Sequence, residues 1–285
     1  MKISFIGLGV MGFPMAGYLS KNGHDVSVFN RTTAKAESWV AKHGGHFGLT
    51  PKDTAKDSEM VMLCVGNDDD VREVISGDQG VIHSMKPGSV LIDHTTASAE
   101  LALEMAALCQ SKGIAFIDAP VSGGQAGAEN GQLTIMCGGA EADFERALPV
   151  MACFGKKVTL MGESGQGQKT KMVNQLLIAG LLQGLSEGIQ FAVKSGLDID
   201  KVIDVISGGA AQSWQLENRA KTMAEGKFDF GFAIDWMRKD LAICFDEAEK
   251  IGVDTPVAKM VDQFYRELQE QGFNRDDTSS LIKRL

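Results

Sequence analysis

Lys2-Ile3-Ser4-Phe5-Ile6-Gly7-Leu8-Gly9-Val10-Met11-Gly12-Phe13-Pro14 decides how the first half of the chain is built. Lys2–Ile6 is a short apolar run broken by glycine, the mark of a strand. Pro14–Asn22 reads as a helix whose proline lies in the first turn, where a missing N–H costs little. Between them stands Gly-x-Gly-x-x-Gly. Alone this pattern is weak, but here it follows a strand, opens a helix and begins a strand–helix–strand unit. Gly7 permits a tight turn, Gly9 lets backbone approach a pyrophosphate, and Gly12 lets helix and strand pack closely. The helix N-terminus adds free N–H groups and partial positive charge. Gly7, Leu8, Gly9, Val10, Met11 and Gly12 are therefore read as a dinucleotide-binding turn.

Working outward, Asp25–Phe29 alternates toward a second strand and Thr33–His43 is helical. Met60–Val65 is a continuous apolar run, as a buried parallel strand requires. Val90–Asp93 and Ala115–Asp118 read as further strands separated by the helical stretch Ala99–Lys112. Such alternation means a doubly wound parallel sheet of the Rossmann type. After about Gly162 the pattern becomes helical, giving a dinucleotide-binding domain over 1–163 and an all-α domain over 164–285. A long interdomain helix, Gln168–Lys194, joins them without a flexible linker. It is apolar nearly all round from Leu176 to Leu182, which predicts burial on most sides. Gly180, Gly184 and Gly188, at four-residue spacing, permit close approach of another helix. Later helices are expected at Asp200–Ile206, Trp214–Met223, Ile234–Ile251 and Thr255–Gln271. The apolar girth of the long helix exceeds what one small helical domain covers, so a homodimer or homotetramer is expected.

Composition narrows the class. A length of 285 residues suits two domains, at roughly 100–200 residues each. The hydrophobic share of 44% and charged share of 23% are those of a globular protein. A net charge of −9 with no Lys/Arg-rich block counts against nucleic-acid and membrane surfaces, though not against small anions. The five cysteines are odd in number, scattered and without a Cys-x-x-Cys pair, which fits free thiols in a reducing, cytoplasmic setting. The five histidines show no partner spacing except His43 and His46, which sit in a Gly-rich stretch with no nearby Cys or carboxylate cluster, so no metal site is expected. The N-terminus reaches glycines too soon for a signal peptide, and the longest apolar run, Leu176–Leu182, is far short of the roughly 20 residues of a membrane helix.

The end of the second strand speaks to cofactor choice. An NAD site places Asp or Glu there to bind the ribose 2′-OH. This chain has Asn30-Arg31-Thr32. A carboxylate would repel a 2′-phosphate, whereas Arg31 can pair with it bidentately, and Asn30 and Thr32 can bond ribose and phosphate. NADP(H) is favoured, with NAD(H) the alternative.

Two further stretches carry candidate chemistry. Asp118-Ala119-Pro120-Val121-Ser122-Gly123-Gly124 follows a strand at the edge where open α/β sheets bind ligands. Its glycines expose N–H groups that can hold a carboxylate, with Ser122 as a further donor. The second stretch is Gly165-Gln166-Gly167-Gln168-Lys169-Thr170-Lys171-Met172-Val173-Asn174-Gln175. On a helix, Lys171, Asn174 and Gln175 share one face. A lysine entering a buried helix has its charged form disfavoured, which moves its pKa toward useful acid–base values.

These stretches together resemble the β-hydroxyacid dehydrogenases. The likeness spans the chain through four motifs: Gly7 to Ala16, Asp118 to Gly131, Gly165 to Gln175, and Lys239-Asp240-Leu241. It implies that Lys171 is the catalytic lysine, Asn174 a substrate-binding asparagine, and Ser122, Gly123 and Gly124 the substrate-carboxylate loop. It further implies cofactor contacts from Val65 and Thr96, and closure over cofactor and substrate by Lys239. Gln175, also expected to bind substrate, stands where many members have a second asparagine although others have glutamine, and Trp236 where smaller aliphatic residues are usual. The implied reaction interconverts a small carboxylate-bearing hydroxy acid with its aldehyde or oxo acid, with Lys171 moving the hydroxyl proton. NADPH would drive reduction of a semialdehyde or glyoxylate-like substrate. The alternative is an NAD-dependent dehydrogenase of 3-hydroxyisobutyrate or a serine-like 3-hydroxy acid. The 6-phosphogluconate dehydrogenases share the plan but carry His-Asn where this chain has Asn174-Gln175. Imine reductases replace the lysine, and a non-catalytic dinucleotide-binding module would have no use for Lys171, Asn174 and the Ser122 loop.

Overall fold

In the computed structural model, which describes residues 1–285, the chain opens with β1 (Lys2–Ile6), α1 (Gly12–Lys21), β2 (Asp25–Phe29), α2 (Thr33–His43), β3 (His46–Phe47) and α3 (Pro51–Ala55). It continues through β4 (Met60–Leu63), α4 (Asp68–Ser76), β5 (Val90–Asp93), α5 (Ala99–Ser111), β6 (Ala115–Asp118), β7 (Val121–Ser122) and α6 (Gly124–Glu129). Then follow β8 (Leu133–Gly138), α7 (Glu141–Met151), β9 (Gly155–Gly162), α8 (Gln166–Lys194), α9 (Ile199–Ser207), α10 (Trp214–Ala224), α11 (Ile234–Lys250) and α12 (Pro256–Glu270). A 3₁₀ segment, Thr278–Arg284, ends the chain. Two compact units divide it, Met1–Lys171 and Met172–Leu285.

The first unit is a nine-stranded sheet ordered β3-β2-β1-β4-β5-β6-β8-β7, with β9 pairing β8. It is parallel from β3 through β6, and β8 runs antiparallel to β6 and β7. The chain winds outward from β1 through β2 and β3, then returns to the other side of β1 through β4. That reversal opens a crevice at the carboxyl ends of β1 and β4, the place where such sheets bind ligands. The period of two in each strand sends alternate side chains to opposite layers. Met60 and Met62 join the core layer of Phe5, Met15 and Trp39, while Val61 and Leu63 join that of Ile75, Leu91 and Leu101. Both faces being covered, β4 reads as an unbroken apolar run.

The elements between Ser122 and Gly162 have no clear counterpart in the sequence pattern. Strand β9 carries Lys156 and Lys157 and is only partly buried, so no apolar run marks it. Helix α8 starts at Gln166, two residues earlier than its apolar period suggests.

The second unit packs Leu182 of α8, Ile234, Met237 and Leu241 of α11, and Val261, Tyr265 and Leu268 of α12 into one core. Tyr265 Oη donates to the Thr278 carbonyl at 3.0 Å, tying down the C-terminal 3₁₀ segment. The expected burial of α8 on most sides is not found. Val173, Leu177 and Phe191 are 57%, 68% and 72% exposed. A side chain at Gly184 or Gly188 would meet nothing within 4 Å, and at Gly180 only Val257. The glycine ladder and apolar girth therefore form an open face in the single chain. By length and composition α8 would pass for a membrane span, but Lys169, Glu187 and Lys194 stand exposed along it. All five cysteines are free thiols.

Candidate active site

At the end of β1 the chain turns through Gly7, whose φ of +97° is open to glycine without strain. A Cβ there would lie 2.2 Å from the Cys64 carbonyl oxygen, and one on Gly12 would lie 1.9 Å from the Gly7 carbonyl oxygen. Those two glycines let backbone pack on backbone. Gly9 differs, for its Cβ would meet nothing within 4 Å. The opening over Gly9, at the N-terminus of a helix with no acidic residue in its first turn, fits a pyrophosphate.

The Asn30 amide braces this turn. Its Oδ1 accepts from Leu8 N–H at 2.9 Å and its Nδ2 donates to the Thr32 carbonyl at 3.1 Å. Arg31 is 87% exposed at its side chain and pairs with Asp70 at 3.3 Å. The position read as a phosphate anchor is thus occupied by a surface ion pair with α4. Thr32 stands exposed before α2.

The ends of β4, β5 and β6 form one connected polar layer. Val65 N–H donates to Thr95 Oγ1 at 3.0 Å, and Thr95 N–H donates to Asp93 Oδ1 at 2.8 Å. Thr96, between two buried residues, is partly exposed. Asp93 and Asp118 are opposite one another in the β5–β6 register. Burial, with the Asp118 charge adding to it, pushes the Asp93 carboxyl up to about 7. Burial likewise raises Asp118 to about 6, against the pull of the backbone N–H groups bonded to it. His94 is buried, its Nδ1 2.8 Å from the Ala119 carbonyl, and burial drives it down to about 4.

Beyond β6, Ser122 is half-buried at the end of β7, and Gly123 and Gly124 take φ of +129° and +62° to open α6. Lys171 is buried, 7% exposed, within the first two turns of α8. Asn174 follows at the three-residue spacing that keeps it on the same helix face.

In the second unit, Asn174 Nδ2 donates to Gln175 Oε1 at 2.7 Å, and Gln175 Nε2 donates to Asp240 Oδ2 at 2.6 Å. Lys239 Nζ lies 3.0 Å from Asp240 Oδ1. Gln175, buried at 1% exposure, is therefore a bridge from Asn174 to Asp240. The sequence marks Asp240 only as a member of the Lys239-Asp240-Leu241 motif. Trp236 is exposed beside Arg275, and no cluster of His, Cys, Asp and Glu that could hold a metal ion occurs.

Both parts of the chain match described protein families. Residues 2–162 match the family described as the NAD binding domain of 6-phosphogluconate dehydrogenase. Residues 165–285 match that described as the NAD-binding of NADP-dependent 3-hydroxyisobutyrate dehydrogenase. The chain is 60% identical over 284 residues to an uncharacterized oxidoreductase of Shewanella frigidimarina, covering 100% of this chain and 98% of the relative. It is 33% identical over 285 residues to 2-hydroxy-3-oxopropionate reductase of Escherichia coli, covering 100% and 97%. The structure of Mycobacterium tuberculosis 3-hydroxyisobutyrate dehydrogenase with L-serine superposes with a TM-score of 0.88 at 29% identity, covering 99% and 98%. The chain belongs to the β-hydroxyacid dehydrogenase family. It is an NAD(P)-dependent oxidoreductase of hydroxy acids, taking a nicotinamide dinucleotide and a small-molecule substrate.

Proposed function

We infer that the enzyme interconverts a small carboxylate-bearing hydroxy acid with its aldehyde or oxo acid, that it works mainly as an NADPH-dependent reductase of a semialdehyde or glyoxylate-like substrate, and that Lys171 moves the proton. The observation that carries this reading is a lysine buried, at 7% exposure, in the first turns of α8. Ser122 and the N–H groups at Gly123 and Gly124 receive the substrate carboxylate. Lys171 Nζ gives its proton to the substrate oxygen in reduction and takes it back in oxidation. Asn174, held by Gln175, orients that oxygen, and Lys239 is read, on the family resemblance alone, as a cofactor-binding residue. When bound along the Gly7–Gly12 turn, with Asn30, Arg31, Thr32, Val65 and Thr96 about it, the dinucleotide supplies or accepts hydride at the substrate carbon. Arg31 rewards a 2′-phosphate and the missing carboxylate after β2 withholds a reward from a free 2′-OH.

A second reading is an NAD-dependent 3-hydroxyisobutyrate or serine-like dehydrogenase. The engagement of Arg31 with Asp70 favours it, as does the likeness to an enzyme solved with L-serine. The open apolar face of α8 supports assembly as a homodimer or homotetramer through the helical unit. The test is a panel of glyoxylate, succinic semialdehyde, tartronate semialdehyde, 3-hydroxyisobutyrate and serine, followed at the nicotinamide absorbance with both dinucleotides. Fast NADPH oxidation with an aldehyde or oxo acid is expected. Turnover only of 3-hydroxy acids with NAD would favour the second reading, and no turnover with any pair would overturn both.

A further inference from the structure

Helix α8 begins at Gln166, directly after Gly165, a residue with no side chain to cap it. Gly165, Gly167 and Gln168 are buried, where bare N–H donors would be costly. Asp118, wholly buried at the end of β6, meets them. Its Oδ1 accepts from Gly165 N–H at 2.7 Å and its Oδ2 from Gln168 N–H at 2.9 Å. The space is shaped to the carboxylate. A Cβ on Gly138 would lie 2.5 Å from Oδ1, and a Cβ on Gly167 would lie 2.7 Å from Oδ2.

One residue of that turn then holds the Thr95–Ala97 loop. Gln168 Oε1 accepts from Ala97 N–H at 3.0 Å, and its Nε2 donates to the Thr95 carbonyl at 2.8 Å, bracketing Thr96. Lys171 follows Gln168 by three residues on the same helix. A shift of that first turn is carried directly to the lysine, because nothing but continuous helix separates them.

We propose that Asp118 and Gln168 are positioning residues for the reaction: the Asp118 carboxylate fixes the first turn of α8, and Gln168 locks that turn to the Thr95–Ala97 loop, so that Lys171 stands at a set place beside the cofactor. The inference rests on Lys171 being the proton-transfer residue. Asp118→Asn leaves one acceptor and aims an N–H at the other backbone donor, so one of the two bonds becomes a donor–donor clash.

A double-mutant cycle tests it. Asp118→Asn is made in the wild-type chain and in Lys171→Ala, and kcat, KM and dinucleotide Kd are measured for each. The expected result in the wild-type chain is a kcat lowered about 10–100-fold, as for a catalytic group displaced by about an ångström, with KM and Kd within about twofold. In Lys171→Ala the same substitution should change the residual rate by no more than about twofold, since the misplaced group is already gone. An equal loss in both backgrounds means a general structural role and overturns the inference, as does an unchanged kcat. A raised KM with kcat intact would assign the effect to the neighbouring Ser122 loop and also overturn it. If Lys171→Ala itself turns over normally, the reading of Lys171 fails and this inference falls with it. Should Asp118→Asn not fold, Gln168→Met, which removes both side-chain bonds while keeping the carboxylate, carries the same cycle with the same criteria.

Discussion

Arg31 is where the structure changes what a substitution is expected to do. Its guanidinium is 87% exposed and lies 3.3 Å from Asp70, so a 2′-phosphate must draw it from an existing partner. An exposed pair of this kind is worth roughly 0–1 kcal/mol. A charge-assisted bond to phosphate is worth about 1.5–3 kcal/mol. The net reward is then about 1–2 kcal/mol, or roughly a 5- to 30-fold preference in kcat/KM for NADPH over NADH. Arg31→Ala should bring the ratio close to one. Asp70→Asn should raise it by up to about fivefold, because it frees Arg31 and removes a negative charge that would face the phosphate. Salt should erode the preference, as for any exposed pair. Initial rates with both dinucleotides, for the wild type and the two variants, decide the matter. A ratio unchanged by Arg31→Ala, or lowered by Asp70→Asn, would refute the reasoning and leave Arg31 a surface charge.

Three further outcomes are expected. His94 titrates near 4 when folded and near 6.5 when unfolded, so only the unfolded chain takes up its proton between those values and stability falls as pH falls through that window. His94→Asn, which keeps a donor for the Ala119 carbonyl, should lose about 2 kcal/mol less than wild type between pH 7 and pH 5, and parallel pH slopes in chemical denaturation would contradict this. Buried Asp93 acts in the opposite sense, losing stability as pH rises toward 7, which is why the comparison is made against the variant. Gln175→Leu cuts the link from Asn174 to Asp240 and should lower kcat/KM about tenfold, as loss of one hydrogen bond to a charged group would, with dinucleotide Kd unaffected; an unchanged kcat/KM would remove Gln175 from the account. Light scattering should find a dimer or tetramer, and Leu177→Glu on the open face of α8 should shift it toward monomer; a monomeric wild type at micromolar concentration would count against assembly there.

Much of the first unit is legible in the sequence because its signals are local. The Gly7–Gly12 turn needs only its flanking strand and helix, and β4 shows burial on both faces in four consecutive apolar residues. What is not legible depends on distance or direction. The cap of α8 comes from Asp118, 47 residues from Gly165, and local capping rules look no further than the preceding turn. The Gln175–Asp240 bridge spans 65 residues. A backbone motif says that Arg31 and Asn30 stand at the end of β2, yet not that Asn30 braces Leu8 and Thr32 or that Arg31 turns to Asp70. The long helix shows the opposite limit. Its apolar girth was readable, but whether the cover comes from the same chain was not, and Leu177 and Phe191 stand open in this one.

The role of Lys171 is tested most directly by replacing it. With saturating dinucleotide and the best substrate of the panel, Lys171→Ala should lower kcat about 10²–10⁴-fold, the usual cost of removing a general acid–base. Dinucleotide Kd, read by titration of the same preparation, should stay within about twofold, which separates lost chemistry from lost folding. A Lys171→Ala enzyme with near-normal kcat and normal dinucleotide binding would contradict the account.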